Sequence, residues 1–232
     1  MRVYHFLPSA FALDDLRRRR LKIARANDFN DPFEFISPAL ADRRLRNALH
    51  NARNIAHAQF GFLCFSRDWQ NPVQWSHYAD RHRGIAFGFD VEDRHLATVN
   101  YSPDRLQLTE HDFDHDDPAA AATMLNALHT KYIHWEYEQE VRLMLHLNEP
   151  PAVAEGSLYF LPFGEGADLR EVIIGARCDI GRDEIYAALG NMRKAARVKK
   201  VRCAFQSYTM VEDLRWRRQG ATLGGITPSS NS

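Results

Sequence analysis

Glu138-Gln139-Glu140-Val141-Arg142-Leu143-Met144-Leu145-His146-Leu147 is the stretch on which the reading of this chain turns. Val141, Leu143, Leu145 and Leu147 alternate with Arg142, Met144 and His146, the period-two pattern of a half-buried strand. In an extended chain, residues two apart share a face. Glu138, Glu140 and Arg142 are therefore expected together on one rim, away from buried Val141 and Leu143. Two carboxylates on one rim can push their pKa values apart, or hold a sugar hydroxyl while positioning an acceptor. An isolated Glu-x-Glu also occurs on ordinary solvated strands, so its weight comes from what the rest of the chain adds.

Outward from this strand, the pattern predicts further strands over 2–7, 21–25, 61–66, 84–89, 171–175 and 198–205. Helices are expected over 10–20, with Ser9 as N-cap, and over 41–58, 73–82 and 119–135. Asp117-Pro118 supplies an N-cap followed by proline in the first turn of the last one. Helices mostly early, with strands joined by irregular connections, give a mixed α+β fold in a single domain over 1–219. From Gly220 the glycines, Pro228 and the Ser/Asn run have little to bury, and 220–232 is expected to be a disordered tail.

Composition narrows the function classes. The 232 residues suffice for one sizeable core, and 45% hydrophobic with 26% charged residues is ordinary for a globular chain. Thirty Lys+Arg balance thirty Asp+Glu, which argues against a protein that coats nucleic acid by charge alone. Local imbalance remains. Arg17 to Arg20 with Lys22, and Arg193, Lys194, Arg197, Lys199, Lys200 and Arg202, form two basic runs. Cys64, Cys178 and Cys203 are odd in number and lack paired short spacing, which excludes a zinc motif and a disulfide framework. The start MRVYHFLPSAF is too short and polar for a signal peptide, and no apolar run approaches a membrane span. A reducing cytoplasm, with no membrane partner, is the expected setting.

Four further segments carry candidate chemistry. His5 lies on the opening strand, sharing a face with Val3 and Leu7 where it can line a cleft. FNDPFEF, 29–35, holds Asp31 and Glu34 in a proline-shaped turn, as ligand contacts or as local caps. The segment 64–89 gathers Ser66, Arg67, Trp69, Trp75, His77, Tyr78 and His82. Trp75 and Tyr78, three apart on a helix, share a face that can be core or can stack on a nicotinamide or nucleobase, and Arg67 can pair with a phosphate. His111-Asp112-Phe113-Asp114-His115 has metal-ligand residue types but reads as a solvated acidic loop. P-loop, GxGxxG, GxSxG and HExxH motifs are absent.

Taken in order, FNDPFE, CFS, WSHYADRHRG, WEYEQEVRL and EVIIG resemble the bacterial domain-of-unknown-function 2971 family, over most of 4–175. A more distant likeness is to ADP-ribosyltransferases of the type that modify DNA. It rests on a strand-borne His near the N-terminus, a middle strand ending in Ser, and a Glu-x-Glu opening a later strand. That likeness implies a split β-sheet with helices around it, and NAD as the substrate that donates ADP-ribose. It implies Glu140 as the catalytic residue, Glu138 as the acceptor-side helper, His5 at the NAD ribose, and Ser66 as the middle-strand Ser of the NAD-binding set. Arg67 would then hold the pyrophosphate, and Trp75 or Tyr78 would stack on nicotinamide. It also implies a DNA, RNA or protein acceptor, with a toxin or phage-defence role and an antitoxin partner. Phe6-Leu7-Pro8 after His5, and the absence of a Ser-Thr-Ser setting at Ser66, depart from the pattern. Two alternatives stand beside it. One is a metal-dependent nuclease or hydrolase using Asp31, Glu34, Glu138 and Glu140; the other is a non-enzymatic nucleic-acid-binding module using the basic runs.

Overall fold

The apolar run Phe60–Ser66 becomes the central strand of the sheet in the first of two compact units. The computed structural model describes residues 1–34, 38–39, 42–113 and 117–216. The first unit comprises Met1–His5, Arg18–Asp68 and Phe89–Asp168. The second comprises Phe6–Arg17, Trp69–Gly88 and the described residues from Leu169. Helices with a sheet of antiparallel and parallel pairs make the fold α+β.

In the first unit, strand Glu140–His146 lies antiparallel along the whole central strand, from Glu140 opposite Ser66 to His146 opposite Phe60. The other edge of the central strand is shared. Arg20–Arg25 pairs near its start, Ala24 opposite Phe62, and Arg2–Leu7 pairs at its end, Tyr4 opposite Ser66. Leu96–Thr98 flanks Glu140–His146, while Leu158–Pro162 and then Val153–Glu155 extend the sheet beyond Arg20–Arg25. Two short parallel ladders complete the unit: Asn100–Ser102 with Thr130–Tyr132, and Pro38–Ala39 with Leu106–Gln107. Fully buried Val3, Ile23, Phe62, Leu63, Phe65, Phe89 and Val141 supply its core. Burial of such side chains stabilises by about 1.5–3 kcal/mol each. Helix Arg43–Gln59 is capped by Asp42, and helix Pro118–Leu128 by Asp117, whose Oδ1 accepts the Ala119 N–H at 2.8 Å.

The second unit is built on a parallel pair, Asp168–Ile174 with Arg197–Cys203, connected through helix Arg182–Leu189. Met210–Glu212 adds an antiparallel edge. Helix Pro72–Tyr78, capped by Asn71, stops where Asp80, Arg81 and His82 adopt φ of 44°, 54° and 70°. A glycine is required at 175. A Cβ there would stand 2.4 Å from the His82 carbonyl oxygen and 2.7 Å from that of Gly84.

Two expectations about helices change, and one helix is new. The helix expected over 119–135 ends at Leu128, and Thr130–Tyr132 and the 3-10 turn Ile133–Glu138 replace its second half. Thr130, Ile133 and the aromatic residues lose side-chain freedom in a helix. The Thr130 hydroxyl also donates to the Asn126 carbonyl at 2.8 Å, closing the last turn. The helix over 73–82 stops at Tyr78 for the backbone reason just given. Helix Arg182–Leu189 was not read from the sequence at all. Phe35 of the FNDPFEF turn, residues 40–41, Asp114 to Asp116, and 217–232, with the domain end at 219 and the expected tail, lie outside the described residues.

Candidate active site

Glu138 and Glu140 reach one place by a route other than strand alternation. Glu138 ends the 3-10 turn Ile133–Glu138, Gln139 takes a left-handed conformation (φ 45°, ψ 47°), and Glu140 opens its strand. The Gln139 carbonyl accepts the Arg67 N–H at 3.1 Å, and the Glu140 N–H donates to the Tyr101 hydroxyl at 2.8 Å. Both carboxylates are thereby fixed by backbone contacts on either side of one residue.

They are not on an open rim. Glu138 is 5% exposed, Glu140 4% and Arg142 1%. The expectation of a carboxylate rim is corrected: Glu140 and Arg142 are buried at this end of the strand, whereas Met144, farther along the same face, is 38% exposed. The cover includes Tyr101 and Lys131, brought opposite each other by the parallel ladder.

Lys131 is the centre of the cluster. Its Nζ lies 2.6 Å from Glu140 Oε2, 2.8 Å from Glu138 Oε2 and 3.4 Å from Glu34 Oε1. Arg142 closes the other side. Its Nε donates to Glu140 Oε1 at 2.8 Å, Nη1 to the Leu128 carbonyl at 2.8 Å, and Nη2 to Glu34 Oε1. The Phe29 ring lies 5.0 Å below its guanidinium carbon. Three buried carboxylates are thus held by two buried cations.

The three acids do not share the positive charge equally. Burial raises the Glu140 pKa, but Arg142 and Lys131 outweigh it and hold the group down to about 2. Glu34 goes the other way. Burial raises its pKa, and Arg142 and Lys131 do not fully offset that. Among the described residues, Glu34 Oε2 is buried without a hydrogen-bond partner. Burial works against the Lys131 ammonium, yet Glu140, Glu34 and Glu138 keep its pKa above the ordinary value. Burial pushes the Tyr101 phenol up to about 12, against the effect of the Glu140 N–H, so it stays protonated. Neighbouring acids with opposed pKa shifts are the signature of an acid–base site.

A cleft of about 290 Å³ opens beside the cluster, lined in part by Asp31, Glu34, Asp104, Lys131, Tyr132 and Trp135. Asp31 is also local scaffolding, since its Oδ1 accepts the Phe33 N–H at 2.9 Å.

The remaining sequence candidates fall in several places. Ser66 is buried on the rung of Tyr4 and Glu140, and its Oγ donates to the Asp68 carbonyl at 2.9 Å. Alternation along the strand puts Tyr4, not His5, on that face. His5 turns to the opposite face, its ring 5.9 Å from that of Phe65, and its Nδ1–H donates to the Cys64 carbonyl at 2.9 Å. Burial holds its pKa below the ordinary value, against that hydrogen bond. Arg67 is exposed and donates to the Thr98 hydroxyl at 2.6 Å. Trp75, in the second unit, is fully enclosed. Its indole N–H donates to the Trp69 carbonyl at 2.6 Å and its ring meets Phe6 edge-on, which makes it a core residue with no face left to stack on a ligand. Tyr78 is half-buried with its ring 6.2 Å from that of His77.

The point where carboxylates converge, offered above as a metal site, is taken by the Lys131 ammonium. Among the described residues no group of three His, Cys, Asp or Glu is arranged to hold a metal ion. The basic run of the second unit is also largely engaged. Lys199 pairs with Glu171, Arg197 with Glu212, Lys200 donates to the Cys178 carbonyl, and Arg193 stacks on Tyr186. Lys131 itself was missed because TKYIHW falls within the helix expected over 119–135, and Tyr101 because no motif surrounds it.

Residues 74–143 match the family model described as "Protein of unknown function (DUF2971)". That segment contains Tyr101, Lys131, Glu138, Glu140 and Arg142, and lacks Glu34 and Ser66. The resemblance read from the sequence holds over this part of the chain, and it names no activity. No curated protein and no solved structure matches the chain. Among the described residues, no helix is long and apolar enough to cross a membrane.

Proposed function

We propose that the first unit carries an enzyme site that breaks the nicotinamide–ribose bond of NAD and passes ADP-ribose to an acceptor. The observation that supports it best is the rung formed by Tyr4, Ser66 and Glu140, with Glu140 held ionised by Lys131 and Arg142. Cleavage of a ribosyl C–N bond develops positive charge on the sugar, as in glycoside hydrolysis. An ionised carboxylate on a rigid strand, accepting a hydrogen bond from the ribose 2′-hydroxyl, stabilises that charge without reorganising. Nicotinamide leaves with the bonding electrons. The acceptor's oxygen or nitrogen forms the new bond, and its proton passes to a carboxylate on the acceptor side, the part given to Glu138.

In this reading the sheet is an ADP-ribosyltransferase-like split sheet, and Arg67, exposed beside the rung, takes the pyrophosphate. The enclosure of Trp75 removes it as a stacking face in this reading. A DNA, RNA or protein acceptor, and a toxin or defence role with an antitoxin, belong to the same proposal.

The test is incubation of the full chain with labelled NAD and a panel of DNA, RNA and protein acceptors. Nicotinamide release is expected, and Glu140→Gln should slow it by about a hundredfold or more, the scale of a lost catalytic group. Circular dichroism separates lost chemistry from lost fold. Unchanged turnover in a folded Glu140→Gln protein, or no turnover in the wild type, sinks the assignment.

A further inference from the structure

In the second unit, strands Arg197–Cys203 and Met210–Glu212 are joined by a loop, 204–209, that carries two rings into solvent. Phe205 is 86% exposed and Tyr208 97%. Apolar side chains exposed singly are ordinary on a protein surface. Two large rings on one short loop are a different matter, since each would gain by burial. The loop is also well anchored. The Ala204 N–H donates to the Thr209 carbonyl at 2.9 Å and closes the neck, and the Ser207 and Thr209 hydroxyls lie 2.7 Å apart. Gln70 holds the far end. Its carbonyl accepts the Met210 N–H at 2.7 Å, and its Nε2 donates to the Met210 carbonyl at 3.3 Å. A fixed backbone therefore presents the rings, which reduces the ordering that a ligand must impose.

Charge narrows the class of ligand. From Val198 to Val211 the chain carries Lys199, Lys200 and Arg202 and no acid. Lys199 is balanced by Glu171. Lys200 donates to the Cys178 carbonyl and Arg202 to the Cys203 carbonyl, contacts that leave both charges uncancelled. These two cations lie two apart on one face of their strand. The Arg202 guanidinium carbon stands 4.5 Å from the centre of the Phe205 ring, backing one side of it. A hollow of about 540 Å³ beside the loop is lined by Pro72 and residues 203–210, and none of these side chains is charged. Two cations are too few to hold a duplex by its phosphates alone. An aliphatic protein surface would meet Gln206, Ser207 and Thr209 around the rings, not further apolar groups. Unpaired bases offer flat faces to the rings and phosphates to the cations.

We infer that loop 204–209, with Arg202 and Lys200, is a stacking platform for single-stranded nucleic acid. Phe205 and Tyr208 each receive a base, and the two cations meet the backbone phosphates. Stacking carries most of the affinity, because the spare charge is small. DNA and RNA strands share this chemistry. The inference rests on the loop alone and stands whether or not NAD is the substrate.

The test needs no NAD, so its failure and a failure of NAD cleavage are separate results. Labelled oligothymidylate and oligouridylate of about twelve nucleotides, and the oligothymidylate paired with its complement, are titrated with the full chain and followed by fluorescence anisotropy. Single strands should bind at least about tenfold more tightly than the duplex, and any preference between the two strands identifies DNA or RNA as the source. Phe205→Ala and Tyr208→Ala should each weaken single-strand binding by about five- to hundredfold, the scale of one lost stacked base. Neither ring is buried, so both variants should keep the wild-type urea midpoint. Phe205→Tyr and Tyr208→Phe, which keep the rings, should bind like the wild type. Arg202→Gln should weaken binding severalfold and flatten the slope of log K against log salt by about 0.7. No binding of either strand, equal binding of strand and duplex, or unchanged affinity in both alanine variants overturns the inference. So does self-association through these rings in place of oligonucleotide binding.

Discussion

Each unit of this protein buries an ion pair, and the two are built differently. In the second unit Lys199 meets one acid, with Nζ 3.2 Å from both Glu171 oxygens and 4.3 Å from the centre of the Trp69 ring. That pair is balanced, one to one. In the first unit Lys131 and Arg142 hold three acids, one of which keeps a buried oxygen without a hydrogen-bond partner among the described residues. The lysines respond accordingly. Burial lowers the Lys199 pKa more than Glu171 raises it, whereas three acids raise that of Lys131 in spite of burial. Balanced burial needs no explanation beyond packing. An unbalanced buried cluster that stays assembled points to chemistry, because an apolar replacement would be easier to fold.

The sharpest way to break this contrast is Arg142→Met, which leaves three buried acids on one cation. A loss of about 3–5 kcal/mol is expected, read as a fall in urea midpoint, since removing one partner strands buried charge. The acid limb comes next. The Glu140 pKa is depressed from 4.5 to about 2 in the folded protein. Its stabilising contribution is therefore present above pH 4.5 and is lost as pH falls through that window toward 2. Urea midpoints measured from pH 6 to 2 should fall more steeply in wild type than in Glu140→Gln, and parallel curves would contradict the assigned ionisation.

Removing the balanced pair as a unit should do less. Glu171→Leu with Lys199→Met is expected to be neutral or stabilising by up to about 4 kcal/mol, whereas either substitution alone destabilises. The smallest effect belongs to the surface. Arg197 and Glu212, 2.6 Å apart with Arg197 55% exposed, should couple by no more than about 1 kcal/mol in a double-mutant cycle, and less at high salt.

Much of the first unit could be read in advance, because the period of two is a strong signal. Alternation of Val141, Leu143 and Leu145 located the strand, and it correctly grouped Glu140 with Arg142 on one face. It could not say what lies over that face. The cover depends on contacts between residues distant in sequence, as in Tyr101 beside Lys131, and no local pattern encodes such pairing. The overlong helix assigned to 119–135 concealed the strand that carries Lys131. Glu34 stands in the sequence as a turn residue and a possible metal ligand, not as a partner of Arg142. Its proximity to Arg142, 108 positions away, is a property of the fold alone. His5 and Tyr4 show the same limit at one-residue scale. Which of two neighbours faces Ser66 follows from register, and register was not legible.

Gln139 gives the site an adjustment point that carries no charge of its own. Left-handed backbone costs a residue with a Cβ about 1–2 kcal/mol, and β-branched side chains tolerate it least. Glycine at 139 would relieve that strain and keep both carboxylates where they are. Valine would swing Glu138 and Glu140 apart while leaving every ionisable group intact. The site therefore depends on a residue that carries no charge, and substitution there would detune the acids by angle rather than by identity.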